Sequence, residues 1–196
     1  CYLTGRRKLP PVPRICLTAS AHICRAGRLC SVVQSVMECL DFEALAQVDV
    51  SDTEAVKQYV RNELSRMTAE GELTVEQADL VIPAMIEGFV LSPIASRMAQ
   101  AAFRGDLYRE KPFVMQYEDV LVQGIIDVFW LEEDSIVLLD YKTDRVKEAQ
   151  ELVMRYQKQL ELYADALSRV FSKEGKKIDA KERLIYSFRL QEVVNL

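Results

Sequence analysis

The stretch GIIDVFWLEEDSIVLLDYKTD, residues 124–144, decides how this chain is read. Two runs of β-branched and aliphatic residues, GIIDVFWLE and SIVLLDYKT, are joined by a short acidic connection, the pattern of an antiparallel hairpin. Each run carries a carboxylate inside it, Asp127 and Asp140, and Lys142 follows two residues after the second. Strand side chains alternate faces, so Asp140 and Lys142 share one face and Tyr141 turns to the other. Asp127 is expected on one side with Ile125 and Phe129. A register that sets 127 beside 140 would gather two acids and an amine at one place.

Two readings of that gathering are open on spacing alone. The charges can end strands and face solvent, with Lys142 as an ion-pair partner. Their apolar setting argues for burial instead, and a buried charge is costly unless paired or metal-bound. Two close carboxylates repel and raise a pKa unless a cation lies between them. Mg²⁺ is suited to hard oxygen donors and keeps several waters. It eases deprotonation of water and neutralises charge developing on a phosphate, while Lys142 can stabilise that charge or orient the attacking water. The set matches metal-assisted hydrolysis of a phosphodiester.

Downstream, EAQELVMRYQKQLELYADALSRVF (148–171) has the spacing of a long amphipathic helix. Tyr156, Gln159 and Tyr163 line one face of it, extended by Leu152. Gln159 either sits half in solvent or, with Tyr163, faces the sheet beside Lys142 to touch a DNA phosphate or base. EGKK (174–177) breaks this helix, and ERLIYSFRLQEVV (182–194) reads as a closing strand. Upstream, LYREKPFVMQYE (107–118) reads as a strand.

Before Gly105 the period is helical. Residues 32, 33, 36, 37 and 40 are apolar at helical spacing. Asp52 or a neighbour is placed to cap AVKQYVRNELSRM, and Thr74 with Gln77 forms a capping arrangement. Pro83 interrupts or restarts a helix, and Ser92-Pro93 opens another. The order of helices, three strands, a helix and a strand predicts a mixed α/β (α+β) domain. Its central sheet is flanked by helices, with an N-terminal helical extension.

At 196 residues, 49% hydrophobic and 28% charged, the chain fits one globular domain able to bury a core. No apolar run reaches the length needed to span a bilayer, and RICLTASAHIC is too broken for a signal-peptide core. No membrane contact and a cytoplasmic location are therefore expected. Six basic residues (Arg6, Arg7, Lys8, Arg14, Arg25, Arg28) precede the first acidic one, Glu38, and all 30 acidic residues follow. The body thus cannot attract DNA by net charge; a metal ion or a basic neighbour must help. Four of five cysteines lie in this basic segment without a C-x-x-C pair, which argues for free thiols rather than zinc. Residues 1–33, with Pro-Pro-Val-Pro and no regular period, read as an atypical Cys-rich leader, disordered or the stump of a larger polypeptide. Residues 34–104 then form the helical part of the domain and 105–196 its core.

GIIDVF, LLDYKTD and YQKQLELYADAL together resemble the RecB-family nuclease motifs of the PD-(D/E)xK superfamily. With SVMECLDF and the chain's ending, residues 35–196 resemble the C-terminal nuclease domain of AddA-type helicase–nucleases. The resemblance implies a restriction-endonuclease-like core that cleaves DNA. It also implies Asp127 and Asp140 as Mg²⁺ (or Mn²⁺) ligands, joined by the Tyr141 carbonyl, and Lys142 as catalytic lysine. Gln159 and Tyr163 correspond to the accessory motif, Glu110 in REKPFVM to the acidic position of the first core strand. Beyond this domain, it implies a helicase motor ahead of it, double-strand-break processing for recombination, and pairing with an AddB-type partner protein. This sequence contains no phosphate loop of its own. It departs from the family where a histidine ligand is expected before SVMECLDF, for Gln34 stands there. The sole histidine, His22, lies twelve residues earlier. That departure opens an alternative reading, a catalytically silent nuclease fold that binds DNA or its partner protein.

Overall fold

The computed structural model of the chain describes residues 14–16, 25–172 and 178–196. Among these, six helices lead into the sheet: α1 (Arg25–Cys39), α2 (Phe42–Leu45), α3 (Thr53–Ala69), α4 (Val75–Ala78), α5 (Pro83–Val90) and α6 (Pro93–Arg104). Their starts follow from local chemistry. Asp41, Asp52 and Ser92 each accept a backbone N–H of the first turn, and Thr74 with Gln77 closes a reciprocal capping box. Pro83 and Pro93 occupy first-turn positions, where the missing N–H costs nothing. Gly105 ends α6 at φ 76°, a left-handed conformation that favours glycine. Helix α1 begins at Arg25, seven residues before its apolar pattern starts at Val32.

The strands are β1 (Arg14–Cys16), β2 (Leu107–Tyr117), β3 (Val120–Glu132), β4 (Ser135–Lys142), β5 (Ala180–Ser187) and β6 (Glu192–Asn195), with α7 (Ala149–Phe171) between β4 and β5. They form one mixed sheet in the order β1-β3-β4-β5-β6, with β2 also paired to β3. The β3–β4 hairpin is antiparallel, closed by Glu132 opposite Ser135, and β5 runs parallel to β4. The expected closing strand is two strands. Residues 188–191 turn the chain back, Gln191 at φ 57°, so that β6 pairs antiparallel with β5. The predicted helix break at 174–177 lies outside the described residues.

Each face of the sheet is covered, which is the expected restriction-endonuclease-like layering of helices, sheet and helix. Helices α1–α6 bury Val33, Val36, Met37, Ile86, Phe89 and Met98 against Val128, Trp130, Leu139 and Tyr141. Helix α7 buries Leu152, Leu160, Tyr163 and Leu167 against Ile126, Phe129, Ile136 and Leu138. No helix among the described residues is long and apolar enough to cross a membrane.

Candidate active site

The alternation that the sequence predicts for β3 fails at Asp127. Ile126, not Ile125, is buried with Phe129 under α7, while Ile125 is 41% exposed. Strand β2 breaks at the same level, with Tyr108 and Phe113 both on the α7 side. The pairs Arg109↔Val128 and Lys111↔Ile126 bracket the break, so Glu110 stands opposite Asp127. Glu110 itself has φ 47° and leaves the ladder. The β3–β4 pairing ends at Val128↔Leu139, which sets Asp127 opposite Asp140. Glu110, Asp127 and Asp140 therefore occupy one row across three neighbouring strands.

Where the ladder ends, the Asp127 carboxylate replaces it. Its Oδ2 accepts the Tyr141 N–H at 3.0 Å. An extended residue directs its N–H and C=O to the same side, so the Tyr141 carbonyl also lies on the Asp127 side. The Tyr141 ring goes to the opposite face, where it meets Phe89, Phe188 and the Met98 sulfur. Asp140 is 1% exposed, and among the described residues its Oδ2 has no partner other than the Lys142 ammonium, with which it forms an ion pair. Its Oδ1 accepts from Gln159 Nε2 at 3.4 Å, and the same amide donates to Tyr163 Oη at 2.9 Å. Gln159 and Tyr163 thus face the sheet and hold Asp140. The structure brings Asp127, Asp140, Lys142, Gln159 and Tyr163 together.

Glu110 and Gln34 form the outer part of the same cluster. Gln34 lies close enough to the Glu110 carboxylate to act on its charge. Burial raises the Glu110 pKa, with further contributions from Glu38 and Asp140, and Gln34 opposes the rise. His22 lies outside the described residues. Sequence reasoning passes over Asp144 and Glu38 and treats Tyr156 only as part of a helix face. Asp144 was detectable, since Asp140, Lys142 and Asp144 alternate along DYKTD.

Electrostatics mark the cluster as short of positive charge. Burial and then the Asp140 charge push the Asp127 carboxyl up to about 8, against Lys142 and the Tyr141 N–H. Burial alone would depress Lys142, but Asp140 and Asp127 reverse the effect and raise it. The Asp127 carboxyl holds its proton more tightly folded than unfolded, where its ordinary value is 3.8. Its contribution favours folding at low pH and is lost as pH rises through about 8. In EDTA, the Tm of Asp127→Asn relative to the parent should therefore rise between about pH 5 and pH 9. A difference that stays flat with pH would contradict this origin of the shift.

No three His, Cys, Asp or Glu side chains among the described residues converge as a ready-made metal cage. What the site offers is two carboxylates and a backbone carbonyl, hard oxygen donors of the kind Mg²⁺ takes while keeping waters. The buried Asp140 Oδ2, answered among the described residues only by a lysine, fits the same demand. Two surface cavities of about 340 and 700 Å³, beside Phe103 and beside Arg97–Glu132, share no residue with this cluster.

Residues 28–194 match the family model of the PD-(D/E)XK nuclease superfamily. The chain is similar to an ATP-dependent helicase/nuclease subunit of Clostridium perfringens strain 13, at 31% identity over 87% of this chain and 14% of that protein. The protein of the same name from Anoxybacillus flavithermus is 37% identical over 74% of this chain and 12% of its own length. That of Clostridioides difficile is 32% identical over 84% and 13%. The chain thus spans about one-seventh of the length of the relatives it matches. These matches bear out the likeness read from the motifs, and the chain belongs to the PD-(D/E)XK nuclease superfamily.

Proposed function

We propose that this chain is a divalent-metal-dependent deoxyribonuclease domain, exonucleolytic, of an AddA-type helicase–nuclease that processes double-strand breaks for recombinational repair. The observation that carries the reading is the meeting of Asp127, Asp140 and Lys142 at the end of the β3–β4 ladder, in a chain of this superfamily. Asp127, Asp140 and the Tyr141 carbonyl would hold Mg²⁺, with Mn²⁺ as a substitute. Bound there, the ion would supply Lewis acidity toward the scissile phosphate and balance the charge that develops on it.

The chain's own residues supply the rest. Asp127 and Asp140 hold the donors of the site on adjacent strands, and the Gln159–Tyr163 pair fixes the Asp140 carboxylate in orientation. Lys142 presents a charged donor that is only 8% exposed, so its field acts at reduced screening. Glu110 would stand beside the ion's place, with Gln34 next to its carboxylate. In this reading the body's acidic charge is offset by DNA delivery from a helicase motor and an AddB-type partner protein.

Gln34, an amide where the family's histidine ligand is expected, favours one other reading, a silent nuclease fold that binds DNA or its partner protein. Degradation of linear DNA by this chain in Mg²⁺, Mn²⁺ or EDTA distinguishes them, with Gln34→His run in parallel. The nuclease reading expects cleavage that EDTA abolishes, and about tenfold or more gain in Gln34→His, as an imidazole is a stronger ligand than an amide. No cleavage by either protein at any metal concentration would leave the silent reading standing.

A further inference from the structure

Lys142 has a second neighbour that the metal site does not use. Its ammonium lies 4.4 Å from the centroid of the Tyr156 ring, over the ring face. That ring is fixed from its far end, because the Tyr156 hydroxyl donates to Asp144 Oδ1 at 2.9 Å. Arg155 meets the same oxygen at 3.4 Å and helps to hold Asp144. Asp140, Lys142 and Asp144 alternate along one face of DYKTD, and α7 answers them in reverse order: Gln159 reaches Asp140, and Tyr156 spans Lys142 and Asp144. Lys142 is therefore held between a carboxylate on one side and an aromatic face on the other.

The two holders differ in what they do when a divalent cation arrives. The ammonium is the ion paired with Asp140. A cation on Asp140 takes that partner and repels the ammonium, which at 8% exposure has little water to move into. An aromatic face attracts an ammonium without competing for the metal, since a ring offers no hard oxygen donor. We propose that Tyr156, pinned by Asp144, is the positioning residue that seats the Lys142 ammonium once a divalent cation occupies Asp140. The inference rests on the metal-nuclease reading. It adds a reason why the lysine stays beside Asp140 rather than extending to bulk solvent.

The test is a double-mutant cycle read by calorimetric titration with Mn²⁺ alone, on this chain. Tyr156→Leu removes the seat and should weaken Mn²⁺ binding about fivefold, while Tyr156→Phe keeps the ring and should stay within about twofold. In a Lys142→Met background there is no ammonium to seat, so Tyr156→Leu should shift Mn²⁺ affinity by less than about twofold. A residue with only a structural role would move affinity equally in both backgrounds. Kinetically, Tyr156→Leu should lower kcat for DNA and leave KM unchanged. Equal losses in both backgrounds, or Tyr156→Phe as weak as Tyr156→Leu, would overturn the proposal while the nuclease reading stood. A parent chain that binds no Mn²⁺ would overturn both.

Discussion

Lys142→Ala should lower divalent-metal-dependent hydrolysis of linear DNA by about 10³-fold, the effect of removing a preorganised donor from a developing charge. The same change leaves Asp140 buried with no cation, at 1% exposure. Breaking a buried pair by removing one member costs about 3–5 kcal/mol. Stability in EDTA should therefore fall by about that amount, and saturating Mg²⁺ should return most of it, because an ion that binds only the folded state stabilises it. Activity should stay lost. Single-turnover hydrolysis and urea denaturation, each with Mg²⁺ and with EDTA, read the two effects separately. Activity within about tenfold of the parent would remove Lys142 from the chemistry.

The second large effect lies beneath the site. Phe89 on α5 is fully buried, and its ring meets Tyr186 at 4.9 Å, Tyr141 at 5.8 Å, Phe188 at 6.0 Å and Phe42 at 6.2 Å between centroids. It joins the helical layer to the strand residue that separates Asp140 from Lys142. Phe89→Ala should cost about 3–5 kcal/mol and lower Tm by about 10 °C for a chain of this size. Phe89→Leu, which refills most of the volume, should recover more than half of that loss. A cost below about 1 kcal/mol in urea denaturation would mean that the aromatic cluster does not tie the layers together.

Much of this was legible in the sequence because local chemistry decided it. The caps at Asp52, Thr74 and Ser92 and the prolines at 83 and 93 set helix starts without help from distant contacts. The β3–β4 hairpin and the placement of Asp140 and Lys142 followed from strand alternation and a short connection. Alternation then misled at Asp127, since the break is shared by β2 and β3 and turns on Glu110 at positive φ. Nothing in GIIDVF or REKPFVM alone records that both strands change face at one level. The split of the last strand was missed for a similar reason. RLQ reads as continuous between apolar runs, and Gln191 takes a left-handed conformation that glycine or asparagine would have advertised. The Tyr156–Lys142 contact needs the distance between helix and sheet, which spacing along either element does not contain.

Mn²⁺ soaked into crystals of this chain, located by anomalous scattering, tests the central claim most directly. One peak is expected about 2.1 Å from oxygens of Asp127 and Asp140, and in Asp140→Asn both the peak and DNA hydrolysis should be lost. A peak elsewhere, or Mn²⁺-dependent hydrolysis that survives Asp140→Asn, would contradict a metal centre held by these two strands.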